Sequence, residues 1–216
     1  MARYLQPRCR KCRAEGKKLM LKGERCVTIK CPIDKKDSFV RKGPPGKAQG
    51  TRLKKMSDYG VQLKEKQKVK NIYGILEKQF RRYFHIAHRQ KGITGENLIQ
   101  ILETRLDNII YRMRFASSRN QARQLVLHGH FEVNGKSVNI PSFNVKDGDV
   151  ISLKEKSKNM KVILESLRLI SNFGVSPWLE VDSEKFTGTI KQIPRRADVI
   201  DLKDVKEQLI VELYSK

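Results

Sequence analysis

Apolar residues recur along this chain with a helical period in its middle and a period of two further on. Between Asp58 and about Arg89 the composition is helical, with a break at Tyr73-Gly74. Beyond the break Ile75, Leu76, Gln79, Phe80, Tyr83 and Phe84 give one predominantly apolar side. Thr94-Gly95-Glu96 then opens a longer amphipathic run. At about 100° per residue Leu98, Ile101, Leu102, Leu106, Ile109, Ile110 and Met113 fall on roughly half the circumference of one predicted helix. Arg105 lies inside that arc, so it must snorkel or find a partner. Ser118-x-x-Gln121 has capping-box spacing and starts a short helix through Ala122, Leu125 and Val126, which Gly129 is suited to end.

The period then falls to two. Phe131-Glu132-Val133, Asn134-Gly135 and Lys136-Ser137-Val138 predict a hairpin with a two-residue turn. A further strand, a turn at Lys146-Asp147-Gly148-Asp149 and Val150–Leu153 complete a small antiparallel sheet. Another helix is predicted near Asn159–Ser171. From Phe173 onward the pattern is mixed, although Trp178, Ile190 and Leu209–Leu213 need something to pack against. The front of the chain has no such period: residues 1–35 are dense in Cys, Lys and Arg. Residues 37–58 carry Pro44-Pro45, Gly43, Gly46 and Gly50, the pattern of an irregular basic linker.

Charge sharpens the picture. The 216 residues include 46 Lys and Arg against 23 Asp and Glu, a formal charge of +23, which points to a polyanionic partner. Residues 1–97 hold 27 of the basic and 8 of the acidic residues, whereas 98–216 hold 19 and 15. The front is therefore the electrostatic binding device and the back an ordinary folded body. Aromatic residues are only 7%, which counts against a base-stacking platform as the main device. No apolar run approaches the roughly 20 residues that span a bilayer. The start, MARYLQPRCRKCRAEG, lacks an apolar core, so no secretory leader and a reducing, intracellular setting are expected.

Four cysteines stand at Cys9-x2-Cys12-x13-Cys26-x4-Cys31. Two close pairs about a dozen residues apart can surround one tetrahedral zinc. So polar a segment cannot hold itself together by burial, and a metal would supply its folding energy. The competing readings are two disulfides, disfavoured by compartment, and four idle thiols, which would not need this pairing. His85-x-x-His88 has no carboxylate at ligand spacing and fits a partly exposed helical pair. His128 and His130 flank a helix-ending glycine, where phosphate or base-edge contact suits them better than metal. Lys64, Lys66, Lys68 and Lys70 point to more than one side of their helix, yet their density beside the basic linker favours phosphate contact over solvated decoration. Catalytic readings do badly: Gly43–Ala48 looks like a phosphate loop, but its first glycine and its magnesium-holding hydroxyl are missing. No enzyme is expected.

The stretch Leu102–Leu153 resembles the small RNA-binding module first defined in the fourth small-subunit ribosomal protein. The whole chain is similar to the bacterial form of that family. Ser57-Asp58-Tyr59-Gly60, Leu63–Lys68, Ile72-Tyr73-Gly74 and Gln79-Phe80-Arg81 match its helical domain, and Ile210–Lys216 its C-terminal signature. The four cysteines match the branch that carries zinc. The resemblance implies an α+β fold: a zinc-stabilised N-terminal segment and a helical domain, plus an RNA-binding module of two short helices packed on an antiparallel sheet. Its divisions are a zinc-binding segment at 1–36, the basic linker at 37–57, a helical RNA-binding domain at 58–97, the module at 98–160, and a C-terminal helix and tail at 161–216 that packs back on the body.

The family binds a multi-helix junction in the 5′ domain of small-subunit ribosomal RNA and binds it early, nucleating assembly. Its members touch the neighbouring ribosomal protein five, an interface linked to decoding accuracy, and lie near the side where messenger RNA enters. The resemblance thus implies a structural protein of the cytoplasmic ribosome, with one structural zinc, no membrane and no small-molecule substrate. Carried over by motif, the RNA-facing positions are Ser117, Ser118, Arg119, Gln121, Ala122, Arg123, Gln124, His128, Gly129, Asn134, Gly135 and Lys136.

The chemistry of these residues agrees. The start of a helix offers free N–H groups to phosphate. Arg119 and Arg123, four apart, are expected to project from one face as forks. Gly129 and Gly135 allow close backbone approach. The basic front adds Arg3, Arg8, Arg10, Lys11, Arg13, Arg52, Lys54, Lys55 and Tyr59, and His130 joins His128. Two other classes stay open. One is an RNA-modifying enzyme such as a pseudouridine synthase, which needs a catalytic domain that no remaining stretch suggests. The other is a zinc-containing DNA-binding regulator, which would prefer a DNA duplex to folded RNA.

Overall fold

The computed structural model describes residues 4–34, 43–46, 55–168 and 174–215. The chain divides into two compact units, Met1–Arg82 with Asp204–Lys216, and Tyr83–Lys203.

The first unit holds α1 (Cys9–Glu15), a 3-10 turn at Gly23–Cys26, α2 (Asp58–Tyr73), the start of α3 (Glu77–Arg89) and α8 (Glu207–Tyr214). Helix α2 begins where Ser57, in extended conformation, accepts a hydrogen bond from the Gly60 N–H at 3.3 Å. It ends at Gly74, whose left-handed φ of 66° returns its N–H to the carbonyls of Lys70 and Asn71. The C-terminal helix α8 lies along α2. Gln62 donates to Glu212 at 2.9 Å, the Tyr214 hydroxyl donates to Glu77 at 2.9 Å, and the Tyr214 ring stacks with Phe80. Ile210 is fully buried. The C-terminal signature therefore completes a core that the N-terminal helices begin.

The second unit runs through α4 (Thr94–Glu103), α5 (Leu106–Arg112), α6 (Arg119–Leu127), β1 (Phe131–Val133), β2 (Lys136–Ser137), β3 (Val150–Leu153), α7 (Lys161–Arg168), β4 (Leu179–Asp182) and β5 (Thr187–Ile190). Its strands form one antiparallel sheet in the order β2-β1-β3-β5-β4. At the first hairpin Val133 pairs with Lys136, and Asn134 and Gly135 both take positive φ, 50° and 74°, as a type I′ turn requires. The core gathers Leu106, Ile109 and Ile110 of α5, Met113 just beyond its end, Ala122 and Val126 of α6, and Phe131, Ile151, Trp178 and Ile190 of the sheet side.

The structure corrects the sequence reading in three places. The run from Thr94 to Met113 is two helices, broken at Thr104-Arg105. The first two N–H groups of α5 are taken by the loop before β3, Leu106 by the Phe143 carbonyl at 2.9 Å and Asp107 by the Pro141 carbonyl at 3.1 Å. The apolar arc survives the break, and all seven predicted positions are buried. Secondly, no strand forms between the first hairpin and the Lys146–Asp149 turn; a single bridge, Asn144 to Arg105, stands there instead. Thirdly, the sheet is completed by β4 and β5 from the tail. Gly188 of β5 lies against Met113 so closely that a Cβ there would be 2.5 Å from its sulfur.

Candidate nucleic-acid interface

Helix α6 presents the module's candidate residues, and a charged network beneath it fixes where they stand. Ser118 caps the helix by accepting from the Gln121 N–H at 3.4 Å. Gln121 returns its side-chain oxygen to the Ser117 N–H at 2.6 Å, one residue earlier than a standard capping box. Arg119 is buried. Its Nε donates to Asn108 Oδ1 at 2.8 Å, its Nη2 to Asp201 Oδ2 at 2.7 Å, and the guanidinium lies over the Tyr111 ring. Arg123 pairs with Asp107 at 3.3 Å. Arg105, the apolar-arc outlier, is held by Asp107 through Nε at 3.0 Å and Nη2 at 2.6 Å and also donates to the Tyr83 hydroxyl. Arg112 takes Glu103 in the same two-pronged way and reaches Asp201 with Nη1 at 3.1 Å.

Four guanidiniums thus share three carboxylates under α6. The expectation that Arg119 and Arg123 project as two open forks is corrected. In this structure their guanidiniums face carboxylates, and Arg119 anchors the start of α6 from below. Burial would raise the Asp201 carboxyl, but the Arg119 and Arg112 guanidiniums override it and hold it down at about 2. A group depressed when folded stabilises the fold above its unfolded value and loses that contribution as pH falls through the folded one. Asp201→Asn should therefore lower stability by about 2 kcal/mol at neutral pH. The gap to wild type should close between about pH 4 and pH 2, as read by urea unfolding at stepped pH.

What α6 and the hairpin leave on the outer surface is Gln124, His128, Asn134, Gly135 and Lys136, all exposed, with Ser117, Ser118, Gln121, Gly129 and His130 half-buried. Ala122 is buried and faces the core. The side chain of Asn134 braces the turn, donating to Asp149 at 2.8 Å and accepting from the Val150 N–H at 2.9 Å. His130 is hydrogen-bonded to Ser157 at 2.8 Å. Burial lowers its pKa, helped by the charges of His128 and Lys154. His85 and His88 are exposed residues of α3 whose rings lie beside the Phe84 ring.

In the first unit the lysines of α2 are not the open row their spacing suggests. Lys66 and Lys68 are buried. Lys66 is bound to Glu77 at 2.6 Å, Lys68 to Glu65, and Lys70 to Glu77 at 3.0 Å. Burial would raise the Glu77 carboxyl, but Lys66, Lys70 and the Tyr214 hydroxyl pull it down to about 2. Lys64 is half-buried, and Lys55 and Tyr59 are exposed. Arg8, just before α1, and Arg13 on it are half-buried, Arg10 is exposed, and Lys11 lies 3.9 Å from the centre of the Tyr4 ring. Burial and the crowding charges of Arg8 and Lys70 bring Lys11 down to about 8. Arg3, Arg52 and Lys54 lie outside the described residues.

Cys9 and Cys12 share one face of α1, Cys26 ends the 3-10 turn and Cys31 follows it. Cys12, Cys26 and Cys31 are buried, Cys9 is half-buried, and all four are free thiols. Their sulfurs are near enough to influence one another electrostatically, and the Lys22 N–H donates to the Cys26 sulfur at 3.3 Å. Among the described residues no three Cys, His, Asp or Glu side chains stand at metal-binding geometry. The four thiols share a neighbourhood and form a donor set suited to zinc without converging on one point.

The model of the ribosomal protein S4/S9 N-terminal domain matches residues 3–103, and that of the S4 domain matches residues 104–151. The small ribosomal subunit protein uS4 of Citrifermentans bemidjiense is 57% identical over 216 residues, with both chains covered completely. The uS4 proteins of Trichlorobacter lovleyi and Thermoanaerobacter pseudethanolicus are each 55% identical over the same complete length. Two family matches in series and end-to-end identity above one half establish that the chain belongs to the uS4 family of small ribosomal subunit proteins.

Proposed function

We propose that this chain is a structural, non-enzymatic constituent of the small ribosomal subunit that binds small-subunit ribosomal RNA in the cytoplasm. The observation that carries the reading is the rigid outer face of α6 and its hairpin, rooted from beneath by Arg119, Asp201 and Asn108. Folded RNA is read by shape, phosphates and 2′-hydroxyls, so a fixed surface with close-approach glycines at 129 and 135 suits it better than a base-reading code. The finer reading is a multi-helix junction in the 5′ domain, bound early to nucleate assembly. A contact with ribosomal protein five contributes to accuracy, and messenger RNA passes nearby. One structural zinc on Cys9, Cys12, Cys26 and Cys31 orders the front segment. Among the described residues no helix is long and apolar enough to cross a membrane.

Competition at matched salt between a folded 5′-domain transcript and a DNA duplex of equal charge tests this reading. A preference for the junction on the order of 10³-fold is expected, the scale that separates specific from non-specific nucleic-acid binding. Equal affinity would show that charge alone acts, and preference for the duplex would favour a DNA-binding regulator. Conversion of uridine in the bound RNA would instead place the chain among modifying enzymes.

A further inference from the structure

Of the asparagines in the chain only Asn134 is followed by glycine; the others precede Ile, Leu, Gln, Val, Met or Phe. An Asn-Gly bond is chemically labile, because glycine has no side chain to keep its backbone nitrogen from the asparagine amide carbon. Both residues are exposed. A Cβ built on Gly135 would meet nothing within 4 Å, so packing does not shield the peptide. What restrains it is the Asn134 amide itself. Strands β1 and β3 pair Val133 with Ile151, so the next pair in register is Asn134 with Val150. The Asn134 N–H donates to the Val150 carbonyl at 2.9 Å, but the return bond runs from the Val150 N–H to Asn134 Oδ1, at 2.9 Å. The side chain takes the place of a main-chain carbonyl in the ladder, where the left-handed φ of 50° has begun the turn. Its Nδ2 donates to Asp149 Oδ1 at 2.8 Å, and Asp149 Oδ2 accepts from the Lys146 N–H at 2.7 Å.

Deamidation joins the Gly135 nitrogen to Asn134 Cγ in a five-membered succinimide and expels Nδ2 as ammonia, which takes the proton of the Gly135 N–H. Water then opens the ring at either carbonyl, leaving aspartate or its β-linked isomer. Ring closure needs the Gly135 nitrogen to eclipse the Asn134 Cβ. A type I′ turn holds ψ at about +30° there, more than a right angle from that arrangement. The turn must therefore open, and the bond from Nδ2 to Asp149 must break, before the ring forms. Neither product can restore the latch. An aspartate sets its carboxylate against that of Asp149, where Nδ2 now donates. The β-linked isomer adds a carbon to the main chain, which a two-residue turn that fixes the strand register does not accommodate.

We propose that Asn134-Gly135 is a site of spontaneous deamidation, with water as the only co-reactant, latched by Asp149 and Val150 while the module is folded. Opening of the hairpin exposes the bond, and the modification then holds the hairpin open. A chain that has spent time unfolded is thereby marked at the turn that carries Gly135 and Lys136 on the module's outer surface. The two latching bonds, one of them to a carboxylate, slow the reaction on the order of 10²-fold.

Peptide mapping by mass spectrometry of the full-length chain, held at mildly alkaline pH either in buffer or in guanidinium chloride, tests this. Conversion at Asn134 should run on the order of 10²-fold faster in the unfolded chain. Asn139, exposed but followed by Ile140, should stay intact in both. Asp149→Ala removes the acceptor of Nδ2 and should speed conversion in buffer on the order of 10-fold, with the chain still folded by its Trp178 fluorescence. Amide exchange at Val150 in the wild-type chain needs no variant, since that N–H is released when the latch opens. Its protection should match the ratio of the two conversion rates within about threefold. No conversion in the unfolded chain would overturn the site. Equal rates folded and unfolded, or faster conversion when folded, would overturn the latch. Conversion that ignores both Asp149→Ala and Val150 exchange would show that another motion admits the reaction, and the assignment to these two residues would be wrong.

Discussion

Glu103→Ala is expected to destabilise the second unit by about 3–5 kcal/mol, the cost of breaking one side of a buried ion pair. Glu103 has no exposed surface. It accepts from Arg112 Nε at 3.0 Å, from Arg112 Nη2 at 2.8 Å and from Asn108 Nδ2 at 2.8 Å. Removing the carboxylate takes from buried Arg112 the closer of its two carboxylate partners, the other being Asp201 at 3.1 Å. It also removes one of the two acceptors of Asn108 Nδ2, leaving the Glu103 backbone carbonyl at 3.0 Å, and Asn108 positions Arg119 through its side-chain oxygen. The damage therefore reaches the root of α6. Against a total stability of some 5–15 kcal/mol this is a large share. Glu103→Gln keeps the shape and one acceptor and should lose less. Trp178, the single tryptophan of the chain, is buried in the same core and reports unfolding by fluorescence. The urea midpoint should fall with the slope unchanged. An unfolding free energy within about 0.5 kcal/mol of wild type would show that the network does not support the fold.

The same network marks where sequence reasoning stops. The Asn134-Gly135 hairpin, the end of α2 at Gly74 and the cap at Ser118 were legible because each is decided by two to four adjacent residues. The break at Thr104-Arg105 was not, because the competing hydrogen bonds come from carbonyls at 141 and 143, far along the chain. Nor was the role of Arg119: its fork is visible in the sequence, but its partner Asp201 lies 82 residues away. The α2 lysines show the same limit, since Glu77 reaches both Lys66 and Lys70 across the Gly74 turn. The second half of the sheet escaped because β4 and β5 are short and joined by a turn without a strong sequence signal. Phe186 takes a positive φ of 55° there, a conformation unusual for an aromatic residue.

The module's candidate face was identified by motif, and the structure keeps Gln124, His128 and Lys136 on its surface. It buries Arg119 against Asn108 and Asp201.

Removal of the proposed zinc should have the largest effect on the first unit and leave the second unit intact. Residues 4–34 contain one helix of seven residues, one 3-10 turn and few large buried side chains beyond Leu19 and Leu21. Burial on that scale gives only a few kcal/mol, whereas a structural zinc supplies about 10–16 kcal/mol of binding free energy at neutral pH. The four thiols share a neighbourhood without converging, which suits a donor set that a cation draws together. Protein purified without chelator should contain one zinc per chain. A strong chelator should then open α1 and the turn at Gly23–Cys26, seen as rapid amide exchange and as newly reactive thiols. Cys12→Ser should do the same. The urea midpoint read at Trp178 should not move in either experiment, because the second unit has its own core. Zinc content near zero, with four freely reactive thiols and unchanged amide exchange in α1, would end the zinc assignment. A shift in the Trp178 midpoint would instead show that the front segment supports the core of the second unit.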